Sequence, residues 1–378
     1  MGGDRGFAAE EHAWMARALE LARRGLYTTD PNPRVGCVLV REGRIVGEGW
    51  HRRAGEAHAE VRALQAAGER ARGASAYVTL EPCCHHGRTP PCTQALIDAG
   101  VAAVVAAMAD PNPRVAGRGF ERLRAAGIDV RAGLLEEEAR ALNPGFVRRM
   151  EGGRPWVRCK MAMSLDGRTA LASGASRWIT GEAARHDVHR LRARSSAILV
   201  GIGTVLADDP SLDVRLTAKD LGLDEDLSVP VPLRVVADAR LRTPPGARML
   251  GLPGATLVAA VGAPEPQRAA LEARGAEVLA CGGAEGRVDL RRLLRELARR
   301  EVNELLVEGG PTLCGALLEA GLVDELVIYL APHLLGDGAR GLFHLPGIGT
   351  MAQRVGVEIR DVRAVGGDWR ITARPIPR

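Results

Sequence analysis

Between Glu11 and Arg24 apolar residues recur at helical spacing, with Trp14, Met15, Ala18, Leu19 and Ala22 in step, and the pattern predicts a helix. Asp30-Pro-Asn-Pro-Arg-Val35 then imposes an extended or turning loop, because each proline restricts the residue before it. Gly36 to Val40 and Arg44 to Gly49 flank Glu42-Gly43 and read as a hairpin. The run His58-Ala-Glu-Val-Arg-Ala-Leu-Gln-Ala-Ala67 is a strong helix former, and Ala76 to Leu80 is a short buried strand. Pro90-Pro91 open a further helix from Cys92 to Ala99. Strand 101–108, helix 119–126, strand 128–130 and helix 135–142 are predicted next. Strands alternating with helices imply an α/β layered domain.

Asn143-Pro-Gly145 and Glu151-Gly-Gly-Arg-Pro155 bracket a predicted linker, which divides the chain into domains over 1–147 and 148–378. Beyond it the pattern predicts a strand over 156–163, a polar turn at Ser164-Leu-Asp-Gly-Arg168, a run Ser176-Arg-Trp-Ile-Thr180 that leads to a long helix through Arg194, and an apolar strand over 197–201. Gly201-Ile-Gly-Thr-Val-Leu206 begins like a dinucleotide fingerprint. Leu206 takes the place of the third glycine and Asp209-Pro210 breaks any continuing helix, so no Rossmann motif is predicted. Strands are predicted over 233–238, 256–261 and 277–280, and another over 303–308 runs into Gly309-Gly-Pro-Thr-Leu-Cys-Gly315 and a helix to Ala320. That turn is either an ordinary strand-to-helix connection or a backbone cradle for a phosphate. The remainder is strand-rich over 323–330 and 357–373, with Gly366-Gly367 as a hairpin turn, and the polar stretch 216–232 carries no predicted element.

At 378 residues the chain exceeds one typical domain. Aromatics make up only 3% of it, so the cores must be mostly aliphatic. No apolar run reaches membrane-spanning length and none follows a basic start, which predicts a soluble, cytoplasmic protein without a targeting signal. Seven cysteines, an odd number in a long chain, argue for metal binding or reduced core thiols over a disulfide scaffold. The net charge of +5 would suit nucleic acid, but no basic block is interleaved with aromatics, so the arginines read as dispersed surface charge and no nucleic-acid or membrane partner is expected. Lysine occurs only at 160 and 219. Where Arg serves every generic need, a retained Lys points to a compact, deprotonatable ammonium. Lys160, beside the polar turn, fits that role; Lys219, in a polar stretch, does not.

The densest chemistry lies in Thr79-Leu-Glu-Pro-Cys-Cys-His-His-Gly-Arg-Thr-Pro-Pro-Cys92, with His58-Ala59-Glu60 upstream. A His, two separated Cys and a Glu that need not be a ligand form the inventory of a zinc deaminase, in which three protein ligands leave a fourth position for water. Residues i and i+2 diverge on an ideal helix, so His58 and Glu60 share a site only if His58 stands at the first turn and points off the end. Cys92, near a helix start, is placed to favour a thiolate. Cys84, His85 and His86 are further donors, and the gap from Cys83 to Cys92 exceeds the C-x-x-C of the general signature. A structural metal site and a catalytic site with a longer substrate loop both stay open on this ground, with His-x-Glu ahead of Pro-Cys favouring catalysis. Asp-Pro-Asn-Pro-Arg-Val occurs at 30–35 and again at 110–115. Asn32 reads as a pocket residue, since an amide meets both donor and acceptor edges of a heterocycle, and the second copy as a structural turn. A deaminase acting on nucleic acid would need stacking aromatics that this composition lacks.

These runs resemble the deaminase half of the bifunctional riboflavin-biosynthesis deaminase/reductase family, where the longer Cys spacing is the normal pattern. The resemblance implies zinc on His58, Cys83 and Cys92, with Glu60 as proton shuttle and Cys84 not a ligand. Lys160-Met-Ala-Met-Ser-Leu-Asp-Gly-Arg168, Ser176-Arg-Trp178, Thr204-Val-Leu-Ala-Asp-Asp-Pro210 and Val307-Glu-Gly-Gly-Pro-Thr312 resemble its reductase half, in the family's order. The implied architecture is a cytidine-deaminase-like three-layer domain followed by a dihydrofolate-reductase-like domain. The resemblance implies NADPH contacts at Ala162, Trp178, Thr204, Asp208 and the turn Gly310, Pro311, Thr312, Leu313, Cys314 and Gly315. It implies substrate contacts at Ser176, Arg192, Leu212, Arg215 and Glu308, with the two Arg converging on a monophosphate; Lys160 would position the sugar. The expected substrate is a small phosphorylated pyrimidine, and a homo-oligomer is expected.

Overall fold

Helix α1 (Ala9–Arg23) forms where the first apolar stripe predicts it and buries Met15, Ala18, Leu19 and Ala22. A computed structural model describes residues 6–85, 90–176, 178–262 and 264–376. The chain divides into two units, Met1–Gly153 and Arg154–Arg378.

In the first unit, β1 (Gly36–Arg41) and β2 (Arg44–Trp50) form the predicted hairpin. Helix α2 (Ala59–Ala67), β3 (Ser75–Val78), α3 (Cys92–Ala99), β4 (Ala103–Ala106), α4 (Arg118–Ala125), β5 (Asp129–Ala132) and α5 (Glu136–Leu142) follow. The sheet order is β2-β1-β3-β4-β5, with β1 antiparallel to both its neighbours and β3, β4 and β5 parallel. Gly47 and Gly49 let α2 lie flush on β2. A Cβ would come within 2.3 Å of the Ala63 carbonyl at the first and 2.4 Å of the Ala59 carbonyl at the second. This contact sets the depth of the helix that carries Glu60.

Asn143 to Gly152 is not a linker. Pro144 opens helix α6 (Pro144–Gly152), which buries Phe146 and Val147. The Asn143 side chain is tied in both directions to Arg34, accepting its N–H at 2.8 Å and donating to its carbonyl at 2.9 Å. Proline at a first helical turn costs no hydrogen bond, so this proline starts a helix where the sequence reading sees a break. The helix runs across the expected boundary at 147/148, and the two units divide after Gly153.

The second unit contains β6 (Trp156–Ser164), β7 (Arg168–Ala170), α7 (Glu182–Ala193), β8 (Ala197–Gly201), α8 (Ile202–Asp208), β9 (Leu233–Ala237), β10 (Thr256–Ala260), α9 (Glu265–Glu272), β11 (Ala276–Ala280), α10 (Leu290–Arg299), β12 (Glu304–Val307), α11 (Pro311–Glu319), β13 (Glu325–Ala331), β14 (Arg340–Gly341), β15 (Val357–Val365) and β16 (Asp368–Pro375). Its nine-stranded sheet has the order β11-β10-β9-β8-β12-β6-β13-β16-β15. The seven strands from β11 to β13 are parallel; β16 and β15 add an antiparallel edge. Val157, Cys159, Leu305 and Val307 anchor an aliphatic core, as the scarcity of aromatics requires. In parallel strands all C-termini reach one edge, so β12, β8 and β9 deliver Glu308, Gly201 and Asp238 side by side.

Candidate functional site

His58 is the N-cap of α2, with extended φ and ψ of −72° and 168°, so its ring points off the helix end while Glu60 sits in the first turn. This is the one arrangement in which residues two apart on this segment can share a site. Cys92 is the first residue of α3, and Cys83 lies in the loop after β3. His58 Nδ1 is 3.2 Å from Cys92 Sγ and 3.6 Å from Cys83 Sγ, and all three donor atoms lie within 4.8 Å of one another. The Cys92 N–H donates to Cys83 Sγ at 3.3 Å, and the Thr93 N–H to the Cys83 carbonyl at 3.1 Å. One imidazole and two thiols at this separation suit zinc and leave a coordination position open. Cys84 and His85 stand outside this cluster among the described residues, and His86 lies outside the described residues.

The two thiols share their charge unequally. The hydrogen bond from Cys92 pulls Cys83 down to about 4, with His58 adding to it, and the same bond together with burial pushes Cys92 up. A divalent ion is what allows both to ionise. Glu60 is only 4% exposed, and burial raises its carboxyl to about 7. A carboxyl poised there can both take up and release a proton near neutral pH.

Asn32 and His51 also reach this region. Asn32 Nδ2 is 3.0 Å from His51 Nε2, and the His51 ring meets the His58 ring edge-on, with centroids 5.1 Å apart. Burial, aided by His58, lowers His51 to about 4, so its ring is neutral. The second Asp-Pro-Asn-Pro copy does a different job. Asp110 caps the Asn112 N–H at 2.8 Å, Asn112 caps Arg114 at 3.0 Å, and Glu81 gathers the whole turn by accepting from the N–H groups of Asp110, Gly117, Gly119 and Phe120. Glu81 and His51 are the residues that sequence reasoning passes over here. Glu81 stands two positions before Cys83, inside the same motif, and His51 follows the end of β2 ahead of Arg52-Arg53.

In the second unit, the buried Arg192 on α7 joins the half-buried Lys160 on β6 and Glu308 at the end of β12 in one charge cluster. Arg192 donates to Glu308 through Nε at 2.5 Å and Nη2 at 2.9 Å, and through Nη1 to the Asp213 carbonyl at 2.9 Å. Burial alone would raise the Glu308 carboxyl, but Arg192 and Lys160 hold it below its ordinary value. Burial lowers Lys160, against the pull of Glu308. Arg192 is thus already engaged in a two-pronged ion pair, while Arg215 has its side chain 66% exposed, with Asp213 at 3.5 Å. The two do not present equivalent free guanidiniums to a phosphate. His189, missed in the sequence, accepts the Arg215 N–H at 3.2 Å and so fixes the segment carrying Leu212 and Arg215. Leu212 is buried, with a positive φ of 51°.

Thr204 and Asp208 lie on α8, one turn apart, and Asp209 ends that helix in the left-handed region. Leu313 packs 3.8 Å from where a Gly201 Cβ would sit, which makes the β8 and β12 exits neighbours. A Cβ on Gly203 or Gly310 would meet nothing within 4 Å, so the backbone there is open to a ligand. Cys314 and Gly315 are instead buried, and Gly315 packs against the His344 carbonyl. Ala162 and Ser176 are half-buried, on β6 and before α7. Trp178 is 70% exposed, with the Arg185 guanidinium 4.6 Å from its ring centre.

The fold and the two sets of side chains define a zinc-type pyrimidine deaminase unit followed by a cofactor-dependent reductase unit in one chain. Residues 8–108 match the cytidine and deoxycytidylate deaminase zinc-binding region, and residues 155–371 match the RibD C-terminal domain. The riboflavin biosynthesis protein RibD of Escherichia coli (strain K12) is 53% identical over 95% of this chain and 98% of its own length. That of Haemophilus influenzae is 48% identical over 98% of each chain. Among solved structures, Acinetobacter baumannii RibD is 45% identical with a TM-score of 0.89, covering 97% of this chain and 99% of that one. A Thermotoga maritima diaminohydroxyphosphoribosylaminopyrimidine deaminase/5-amino-6-(5-phosphoribosylamino)uracil reductase is 33% identical with a TM-score of 0.82, over 97% and 99% of the two chains. The chain belongs to the RibD family of riboflavin-biosynthesis proteins, with deaminase and reductase domains and with zinc and NADPH as cofactors.

Proposed function

We propose that the first unit hydrolyses 2,5-diamino-6-(5-phosphoribosylamino)pyrimidin-4-one to the corresponding uracil and ammonia, and that the second reduces its ribosyl group to give 5-amino-6-(5-phosphoribitylamino)uracil. The observation that carries this reading is the convergence of His58, Cys83 and Cys92 beside the buried Glu60. His58 Nδ1 and the Cys83 and Cys92 sulfurs would hold zinc, which would supply an activated water to the site when bound. Glu60 takes the proton that the water loses on attacking the amino-bearing carbon, and returns it to the departing nitrogen as the C–N bond breaks. Asn32 meets the ring edge. NADPH, when bound in the second unit, would supply the hydride for C1′ of the opened ribose. Lys160 and Glu308 hold the sugar, Arg192 holds Glu308 in place, and Arg215 takes the phosphate with Ser176 and Leu212 lining the pocket. Trp178, Thr204, Asp208, Ala162 and the turn 310–313 hold the cofactor, with Cys314 and Gly315 packing beneath that turn. A Glu60→Gln variant is expected to keep its zinc and its NADPH-dependent reduction of added deaminated ribotide, while deamination falls by about 100-fold or more. Full deamination by a zinc-replete variant would remove Glu60 from the mechanism.

We also propose a homo-oligomer in the cytoplasm. Strand β15 pairs with β16 on one side and is the last strand of the sheet among the described residues, with Val357, Ile359 and Val362 exposed, a surface that self-association would cover. No helix among the described residues is long and apolar enough to cross a membrane. Sedimentation of the purified chain as a monomer at micromolar concentration would contradict the assembly.

A further inference from the structure

His51 is 2% exposed and makes contacts in three directions. Its backbone N–H donates to the Val35 carbonyl at 2.9 Å, just past the loop that carries Asn32. Its Nδ1 lies 3.3 Å from the Ala57 carbonyl, the residue before His58. Its Nε2 lies 3.0 Å from Asn32 Nδ2. A carbonyl can only accept, so Nδ1 carries the ring proton. With the proton at Nδ1, Nε2 faces the Asn32 NH2 group through its lone pair and accepts. An acceptor at that point requires the Asn32 side chain to turn its NH2 group inward. The Asn32 main chain has no freedom to compensate, because its N–H donates to the Thr29 carbonyl at 2.8 Å.

We propose that His51 is a positioning residue for the deamination: by accepting from Asn32 Nδ2 it fixes which end of the amide is oxygen, so that Asn32 presents one acceptor and one donor to the pyrimidine edge in a single order. This rests on the reading of Asn32 as a contact to the substrate ring. A ring with the reversed order of donor and acceptor meets like groups at both points. The Ala57 link registers that order against the neighbouring His58, so ring recognition and metal coordination share one frame.

The test uses the full, zinc-loaded chain in a Glu60→Gln background without NADPH, where deamination of the diaminopyrimidinone ribotide is slowed by about 100-fold or more and its Kd can be measured by calorimetric titration. His51→Phe keeps the ring shape and removes the acceptor; it is expected to weaken binding by about tenfold, the effect of one good hydrogen bond. His51→Gln restores an acceptor and is expected to recover most of the loss. Asn32→Ala alone should weaken binding by a similar factor, and the double variant should bind no more than about twofold worse than Asn32→Ala, because the two residues act as one unit. Zinc content and melting temperature are recorded for each. If His51→Phe fails to fold, His51→Asn, whose shorter amide falls short of Asn32, takes its place. Binding within about twofold of the parent in a folded, zinc-replete His51→Phe, or strictly additive losses in the double variant, overturns the coupling. Loss of zinc from His51→Phe overturns it in favour of a role in holding His58. Unchanged binding in Asn32→Ala overturns it by removing Asn32 from the ring contact, and leaves the deaminase assignment, carried by wild-type turnover, intact.

Discussion

Replacing Glu81 with Gln changes one atom in a buried side chain and should unsettle the whole first unit. Glu81 is 3% exposed, and its two oxygens serve four backbone donors. Oε2 accepts from Asp110 and Gly117, both at 3.0 Å, and Oε1 accepts from Gly119 at 2.9 Å and Phe120 at 3.4 Å. A Gln can turn its oxygen to only one of these pairs, and the other pair then faces an NH2 group, donor against donor. Hydrogen bonds to a charged acceptor are worth about 1.5–3 kcal/mol each, so losing two costs about 3 kcal/mol at the lower bound. At about 2–4 °C per kcal/mol for a domain of this size, the melting midpoint of the first unit should fall by about 6–12 °C. Scanning calorimetry of the zinc-loaded full chain reads this directly, with the first unit's transition identified by its shift on chelation. The second unit's transition should not move. Because Pro82-Cys83 follows Glu81 directly, zinc affinity should fall as well. A shift smaller than about 2 °C with unchanged zinc affinity would refute the idea that Glu81 clamps the metal loop to the 110–120 turn.

Cys83→Ser or Cys92→Ser should lose zinc, read by metal analysis, and lose deamination, while NADPH-dependent reduction of the deaminated ribotide persists; a zinc-replete variant would contradict the ligand set. Glu308→Ala strips Arg192 of its partner in a site where both side chains are about nine-tenths buried, and should cost about 3–5 kcal/mol in denaturant unfolding of the second unit. His189 is lowered to about 4 from 6.5, by burial first and then by Arg192 and Arg215. Its folded-state pKa is depressed, so its contribution to stability is complete above the unfolded value and is lost as the pH falls from about 6.5 towards 4; His189→Asn should flatten the pH dependence of second-unit unfolding in that window. Trp178→Ala, at an exposed ring, should raise the Kd for NADPH by about three- to tenfold and leave deamination alone.

The hydrophobic pattern alone located most of the first unit, because its strands and helices alternate with glycine and proline between them. It predicted the His58 position correctly for a physical reason: only an N-cap lets a residue two before Glu60 point the same way. It misread Asn143 to Gly152 because Pro-Gly signals a break more often than a helix start, and the burial of Phe146 and Val147 that decides the matter is tertiary. Helix α10 is not predicted from the sequence: Leu293, Leu294 and Leu297 form its buried stripe, but the flanking arginines mask the apolar count. The partners of Arg192 and Arg215 were not legible. Both are arginines near a polar loop, and only the fold shows that one is held by Glu308 while the other is exposed.

The central claim is that one chain carries out two reactions in a fixed order on one pyrimidine ribotide. Purified, zinc-assayed protein incubated with 2,5-diamino-6-(5-phosphoribosylamino)pyrimidin-4-one, with and without NADPH, tests it by mass spectrometry of the products. The deaminated ribosyl compound alone is expected without NADPH, and the deaminated, reduced ribityl compound with it. Reduction of the sugar before the amino group is lost, or no reaction from a protein with its full complement of zinc, would contradict it.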